Sequence, residues 1–467
     1  MKYLKLFKTT AEYESYIADS EDFVRPNVSL CEDDNSVYFH DFISEPDIDY
    51  SKEYFTIEAL EDGLTVKLSR NASQYRIDNN EWVTLGSGTT TPSVNNGQKI
   101  QFIITNPSIS SSSGMGTFTI SKKCNVSGNI MSLLYGDDFV GQIDLSGKNK
   151  VFSYLFQNCR TLQSAENLIL PATTLAEKCY YSMFSYCISL TTAPELPAME
   201  LASECYSSMF NYCRTLTTAP ELPATELAER CYHSMFSNCT SLTEAPELPA
   251  TTLAETCYYR MFEGTNVLPD CSNIDFTNET VVASGGLKGL FYGTKVTDAD
   301  LEQILPKNDE GKYCLPAITL ASDCYSYMFS NCTSLETAPA LPATELANYC
   351  YQNMFQGCKS LTTAPALPAT ELADNCYPNM FAGCTSLETA PELPATTLTK
   401  YCYSNMFQGC SNLNYIKMLA TDISANGCLM DWVNGVASNG TFVKNTAMTS
   451  LPSGISGIPE GWTVQEV

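Results

Sequence analysis

The sequence contains little histidine, few basic residues and no long apolar run. Only 2 histidines occur in 467 residues, which leaves few imidazole ligands or general bases. Lys and Arg number 26 against 52 Asp and Glu, and the net charge of −26 disfavours nucleic acid as a partner, because phosphate contacts need basic side chains. No apolar stretch reaches the roughly 18 residues that a membrane-spanning helix requires. We expect neither nucleic-acid binding nor membrane insertion.

The first twenty residues, MKYLKLFKTTAEYESYIADS, do not resemble a secretory signal. Lys2, Lys5 and Lys8 interrupt the hydrophobic residues, and acidic residues follow directly. A signal peptide needs an unbroken apolar segment and a cleavage site of small residues. We therefore expect synthesis in the cytoplasm, so that any function outside the cell depends on another route of release.

A repeat dominates the rest of the sequence. From Cys205 the chain reads CYSSMFNYCRTLTTAPELPATELAER, and from Cys350 it reads CYQNMFQGCKSLTTAPALPATELADN. The 26-residue unit is C-Y-x-x-M-F-x-x-C-x-S-L-x-x-A-P-x-L-P-A-x-x-L-A-x-x. Its phenylalanine recurs at Phe184, Phe210, Phe236, Phe262, Phe329, Phe355, Phe381 and Phe407. Phe156, Phe291 and Trp432 mark less regular copies, which brings the array to about eleven turns.

This period predicts an α+β solenoid. A single unit cannot bury its Leu, Met and Phe alone, so neighbouring units must stack. The proline in S-L-T-T-A-P-E-L-P limits any strand there to three or four residues. The apolar spacing in L-A-x-x-C-Y-x-x-M-F predicts a helix or 3₁₀ segment of one to two turns.

The repeated motif M-F-x-x-C-x-S-L-x-x-A-P-x-L-P resembles the BspA-like leucine-rich repeat, whose usual pattern is A-F-x-x-C-x-x-L-x-x-I-x-I-P. The resemblance covers about residues 152 to 433, and eight copies keep seven or more positions in register. The 26-residue period is slightly long for that class, and Met replaces the usual Ala. The resemblance implies a surface-exposed module for adhesion or recognition.

Two columns of cysteine run through the repeats. One column contains Cys179, Cys205, Cys231, Cys257, Cys324, Cys350, Cys376 and Cys402. The other contains Cys187, Cys213, Cys239, Cys332, Cys358, Cys384 and Cys410. Metal sites usually pair cysteines two to four residues apart, whereas these columns are eight apart within a unit. We expect reduced, buried thiols stacked from unit to unit and no metal or cofactor; disulfides between the columns remain an alternative.

The N-terminal part of the chain has a different pattern. Residues 50–135 contain short alternating or apolar runs separated by turn residues, which predicts an all-β immunoglobulin-like sandwich. Residues 1–49 are interpreted as a small docking unit, with a helix over 9–19 and two short strands around Asp33, Asp34 and Asn35. The predicted domains are thus 1–49 for docking, 50–135 for the sandwich, 136–433 for the solenoid with its N-terminal cap, and 434–467 for a C-terminal cap.

Residues 263–315 interrupt the array and include Asp270, Asp275, Asp298 and Asp300. This insertion is either a degenerate turn with a surface excursion, or a binding loop or bend that shapes the solenoid. Loops on a stiff scaffold often carry recognition, so the second interpretation stays open.

The sequence favours binding over catalysis. A column of equivalent glutamates provides neither the unique pocket nor the shifted pKa values of a catalytic pair, and no nucleophile or phosphate-loop motif is present. We therefore expect no enzyme activity and no catalytic residue. Our candidate binding face comprises Thr192, Glu195, Thr218, Glu221, Glu247, Thr363 and Glu392, and its expected ligand is a bacterial surface polysaccharide or protein.

The layout as a whole resembles virion-attached proteins of phages that infect gut Bacteroides-type bacteria. That resemblance is carried by KLFKTTAEYESYI and RPNVSLCEDDNSVYF, followed by the β-rich segment and the repeats. It implies a structural protein of the virion, in the head or the tail, whose residues 1–49 contact other virion proteins. A BspA-like adhesin on a bacterial cell surface is the alternative. The sequence leaves open whether the chain forms a homo-oligomer.

Overall fold

The computed structural model describes residues 3–6, 32–33, 36–37, 40–43, 49–69, 73–104, 116–269, 274 and 285–467. The chain forms two compact units, Met1–Asp49 and Tyr50–Val467. In the first unit, β1 (Tyr3–Leu6) pairs antiparallel with β4 (His40–Ile43), and β2 (Glu32–Asp33) pairs with β3 (Ser36–Val37). The β2–β3 pairing agrees with the two short strands that the sequence predicts there. The predicted helix over 9–19 lies outside the described residues, and the docking role of 1–49 stays a prediction.

The second unit begins with a six-stranded sheet. Its strands are β5 (Thr56–Ala59), β7 (Ser73–Ile77), β8 (Val83–Leu85), β9 (Lys99–Ile104), β11 (Cys124–Asn129) and β12 (Leu162–Ile169). The strand order is β12-β11-β5-β9-β7-β8, and a separate antiparallel pair consists of β6 (Val66–Leu68) and β10 (Phe118–Ile120). Strands β5 to β10 coincide with runs predicted within residues 50–135, whereas β11 and β12 lie outside the predicted runs. Their immunoglobulin-like arrangement stays a prediction.

This sheet continues into the repeats. Strand β11 pairs antiparallel with β5 on one side and parallel with β12, in the first coil, on the other. The ring of Phe156 in that coil lies 5.8 Å from Phe55 and 5.7 Å from Phe118. The short helix α1 (Ser132–Tyr135) and the 3₁₀ turn Gly136–Asp138 lead from the sheet to the coils. The predicted boundary at residue 135 therefore falls within one continuous hydrophobic core.

One side of each coil, which we call the turn segment, is residues 176–187 and their equivalents in the other coils. Alternate N–H groups close local turns, as from Cys179 to the Ala176 carbonyl at 3.2 Å. The intervening N–H groups donate to the next coil: that of Tyr180 to the Cys205 carbonyl at 3.0 Å, and that of Phe184 to the Met209 carbonyl at 2.9 Å. The N–H groups from Lys178 to Cys187 are thus all hydrogen-bonded, half within the coil and half to the next coil.

The helix predicted for this segment is wrong. Backbone φ is positive at every fourth residue, for example at Lys178 (56°), Ser182 (51°) and Tyr186 (62°), which prevents a continuous right-handed helix. The apolar residues recur at a spacing of four because the turns do, and this spacing imitates a helical pattern. In the described residues the α-helices are α1 and α2 (Asp298–Ile304), both outside the repeat units, so the α+β assignment is corrected to mostly β.

The turn segments bury the side chains that recur in the repeat. Phenylalanine rings stack from Phe156 to Phe262 at centroid distances of 5.3–5.9 Å, and again from Phe291 to Phe407 at 5.3–5.8 Å. A second file is formed by the buried tyrosines that follow the first cysteine column, with Tyr351 and Tyr377 stacked at 5.6 Å. The predicted stacking of neighbouring units is confirmed within each of these two runs.

The opposite side of each coil, which we call the proline side, is residues 190–200 and their equivalents. Two isolated parallel bridges join neighbouring coils there, such as Thr218 with Glu244 and Glu226 with Thr252. Most bridges are shorter than the three to four residues predicted, because proline lacks an N–H and sits between them. Longer strands occur near the ends of the array, at β12 and at the parallel set β13 (Tyr415–Met418), β14 (Thr441–Lys444) and β15 (Thr463–Glu466).

The insertion replaces one proline side with helix α2 and a short hairpin. Thr297 caps α2 by a reciprocal pair of hydrogen bonds with Asp300. The carboxylate of Asp298 accepts hydrogen bonds from the N–H groups of Glu336 and Thr337, both at 3.0 Å. Asp298 therefore joins the insertion to the next coil, whereas Asp270 and Asp275 lie outside the described residues.

Candidate functional site

The structure places the seven candidate residues on the proline side. Glu195, Thr218, Glu221, Glu247, Thr363 and Glu392 are exposed, and Thr192 is half-buried. Each glutamate stands two residues before a recurring proline, such as Pro197 or Pro394, and the following leucine points into the core. The leucine anchors the segment and leaves the carboxylate in solvent, because adjacent residues of an extended chain face opposite ways.

Three of the candidates lie together. Thr218, Glu221 and Glu247 line a shallow groove of about 560 Å³, which also contains Glu244 and two prolines, Pro223 and Pro249. We call it the acidic groove. Its three carboxylates offer hydrogen-bond acceptors to a ligand, and its prolines give it a stiff floor.

Two other candidates already have partners. The hydroxyl of Thr192 lies 2.6 Å from that of Ser164 in the preceding coil. The carboxylate of Glu392 forms an ion pair with Lys417 at 3.1 Å. These contacts join neighbouring coils, so Thr192 and Glu392 are less free to meet a ligand than the residues of the acidic groove.

The last candidate, Thr363, lines a second groove of about 480 Å³. One wall comes from the insertion, through Glu302, Asn308, Glu310, Lys312 and Tyr313. The floor comes from two coils and consists of alanine, leucine and proline: Ala338, Ala340, Leu341, Pro342, Ala364, Pro365, Ala366 and Pro368. We call it the insertion cleft. The seven candidates are therefore spread over two grooves and two coil contacts.

The thiols lie on the other side of the coils. Each Cys of the second column donates to the phenylalanine carbonyl of the preceding coil, as Cys358 does to Phe329 at 3.0 Å and Cys384 to Phe355 at 3.1 Å. Burial raises the pKa of the thiols, to about 12 for Cys239 and Cys410. They therefore stay protonated and weakly nucleophilic near neutral pH.

The expectation of two columns of reduced, buried thiols is confirmed for the described cysteines. Within the same part of the chain, no group of three or more His, Cys, Asp or Glu side chains is arranged to hold a metal ion. None of the helices described there is long and apolar enough to cross a bilayer.

The repeat geometry is matched by a family model. The model for the BspA type leucine-rich repeat region matches residues 140–268 and 318–427 in six copies. The chain belongs to the BspA type leucine-rich repeat family. No curated protein and no solved structure matches the chain. The BspA type repeats therefore include both grooves' floors, while the wall of the insertion cleft lies between the two matched segments.

Sequence reasoning missed the contacts that a second row of polar side chains makes between neighbouring BspA type coils. Thr174 donates to Glu200 at 3.0 Å, and Thr319 donates to Glu345 at 2.8 Å, each linking two neighbouring coils. The recurrence of Thr or Glu three residues after the second proline was the available signal. It also missed Tyr313, whose hydroxyl donates to the Thr337 carbonyl at 2.8 Å and holds the insertion against the repeats.

Proposed function

We propose that this BspA type protein is a non-enzymatic recognition protein whose repeats bind a molecule on a bacterial surface. The observation that carries the proposal is that each coil separates its buried apolar side chains from its exposed polar side chains. The recurring Tyr, Phe, Met and Cys side chains are buried in the turn segments, whereas Thr and Glu recur in solvent on the proline side. A stiff array of exposed polar side chains suits recognition of an extended surface.

Binding to intact cells tests this proposal. The labelled full chain is incubated with a panel of Bacteroides-type gut bacteria, and binding is measured by flow cytometry. We expect saturable binding to at least one strain, and competition by unlabelled chain. Absence of saturable binding to every strain, with a correctly folded chain, contradicts the proposal.

We further propose that the protein is a structural component of a phage virion, attached through residues 1–49. The order of a small N-terminal unit, a β-rich segment and the repeats supports this assignment, as does the N-terminal sequence KLFKTTAEYESYI. A BspA type adhesin on the surface of a bacterium is the competing assignment. Mass spectrometry of purified phage particles separates the two: the virion assignment requires peptides of this chain in the particles, and their absence favours the adhesin.

A further inference from the structure

We propose that the insertion cleft binds an extended segment of a partner protein, which inserts an apolar side chain flanked by basic residues. The inference rests on the proposed recognition function and names the class of partner and its site. The cleft has a volume of about 480 Å³, which is within the range of ligand sites, and is bounded by the insertion on one side and two coils on the other.

The wall of the cleft is held in place by hydrogen bonds to the repeats. Asp298 at the start of α2 accepts from two backbone N–H groups of the following coil, and the Tyr313 hydroxyl donates to the Thr337 carbonyl. Cys314 also forms a parallel bridge with Ala340. The wall and the floor are therefore joined at three points, and the cleft is a built feature rather than a gap beside a loose loop.

The floor departs from the repeat where the cleft lies. The position occupied by Glu195, Glu221, Glu247 and Glu392 in other coils is Ala340 and Ala366 in the two coils of the floor. With glutamate at these positions, two carboxylates would stand in the cleft. With alanine, the floor is an uncharged strip that includes Leu341, Pro342 and Pro368.

The chemistry of this strip favours an apolar side chain over a sugar. A sugar ring placed on alanine, leucine and proline would lose hydration of its hydroxyl groups without gaining hydrogen bonds, which is unfavourable. The one aromatic residue of the cleft, Tyr313, is buried, and its hydroxyl is already engaged with Thr337. An aliphatic or aromatic side chain has no such requirement and gains from leaving water.

The charges around the cleft favour basic residues beside the apolar residue of the bound segment. The side chains of Glu302 and Glu310 on the rim are 60% and 70% exposed. Each rim glutamate has a lysine beside it, Glu310 paired with Lys312 at 3.0 Å and Glu302 with Lys307 at 3.9 Å, so the acidic excess comes from the neighbouring proline sides. Exposed Glu336 and Glu345 flank the same coils on the proline side. Lys or Arg beside the inserted residue would meet this acidic surround with charge complementarity.

A selection with an mRNA-displayed library of random linear peptides on the immobilised full chain tests the inference. We expect enriched peptides to combine an apolar residue with adjacent Lys or Arg. The double variant Ala340→Glu/Ala366→Glu restores the residue that other coils carry, and it should weaken the best peptide by at least about tenfold, the scale of an interface hot spot. The matched control Glu229→Ala/Glu255→Ala removes two exposed carboxylates of the turn segments, outside both grooves, and should bind that peptide like the parent chain.

The single variant Ala366→Lys, at an exposed position, provides a second test that does not depend on how the double variant folds. It should weaken binding of the same peptide by charge repulsion. No enrichment, equal binding by all variants, or binding to an immobilised glycan array that is lost in the cleft variants would each overturn the inference. Cell binding reports separately on the proposed function. If cells bind the parent chain and the cleft variants equally, the cleft assignment fails while the recognition function stands.

Discussion

The turn segments and the proline sides belong to the same coils but hold together in different ways. Between two neighbouring turn segments, alternate N–H groups from Lys178 to Tyr186 donate to the next coil at 2.8–3.0 Å. Beneath them, rings and thiols are fully buried. Between two proline sides, isolated bridges and exposed side-chain contacts predominate. Stability is therefore concentrated on one side of the coil, and the other side is free to vary.

The variation follows this division. In the turn segments the core positions are nearly fixed, and the exceptions, such as Thr265 and Thr294 in the second cysteine column, still place a buried hydrogen-bonding group there. On the proline side the column of Glu195 changes to Ala340 and Ala366 while the coils keep their stacking. A coil can thus change what it presents to a ligand without changing how it stacks.

The largest effect on stability should come from alkaline pH, which acts on the buried thiols of the turn segments. Burial raises the pKa of Cys239, Cys332 and Cys410 to about 12, from an ordinary value of 9.0. Between these values the unfolded chain loses protons that the folded chain keeps. The stability present below pH 9 is therefore lost as the pH rises towards 12, by about 1.4 kcal/mol per pH unit for each such thiol. We expect the melting temperature, followed by circular dichroism, to fall steeply above pH 9; a constant value between pH 8 and 11 would contradict this account.

Removing one ring from the phenylalanine file should have the next largest effect on stability. Phe355 is fully buried between Phe329 at 5.6 Å and Phe381 at 5.7 Å. Phe355→Ala removes both stacking contacts and leaves a cavity, which should cost about 3–5 kcal/mol in the free energy of unfolding. Urea denaturation measures the loss. Thr363→Ala, on the proline side of the same coil, is the matched control, and an equal loss in both variants would remove the contrast between the two sides.

A smaller effect is expected at the left-handed positions of the turn segments. Gly383 has φ of 77°, and a Cβ there would be 3.7 Å from the nearest atoms, so space is available and the backbone alone decides. Gly383→Ala should destabilise the chain by about 1 kcal/mol. Asn379→Gly, at φ of 55° in the same coil, should be neutral or slightly stabilising. Thermal unfolding of the pair checks this, and the opposite order would contradict the role of positive φ.

The smallest effect should come from an ion pair on the proline side. Glu392 and Lys417 lie 3.1 Å apart, with side chains 51% and 30% exposed. Because solvent screens such pairs, Glu392→Gln should change the free energy of unfolding by about 0.5 kcal/mol or less. A loss comparable to that of Phe355→Ala in the same urea assay would show that the proline side contributes more than its contacts indicate.

Sequence reasoning predicted the parts of this fold that repeat identical residues. Phenylalanine and cysteine at a 26-residue spacing predicted both the ring file and the thiol columns. The left-handed turns had a readable signal as well, because Gly357, Gly383 and Gly409 share one column with Asn238 and Asn331, the residue types that accept positive φ. The helical interpretation failed because turns of four residues and helical turns place apolar residues at nearly the same spacing.

The grooves were less accessible from sequence. The acidic groove could be anticipated in part, since Thr218, Glu221 and Glu247 are repeat positions of adjacent coils. The insertion cleft could not, because it depends on Asp298 and Tyr313 contacting a coil 24 or more residues further along. Such docking is decided by the packing of the insertion on the array, and no periodic pattern encodes it.

The alternating bonds of the turn segment also bear on how the gene can change. Each coil presents the same row of carbonyls to the coil before it, and even the irregular coil continues that row, with the Gly264 N–H donating to the Gly293 carbonyl at 3.1 Å. Duplication or deletion of 26 codons would therefore splice one coil onto another without exposing unpaired backbone. Lineages carrying this gene can lengthen or shorten the array by whole coils, which changes the spacing between the variable proline sides along it.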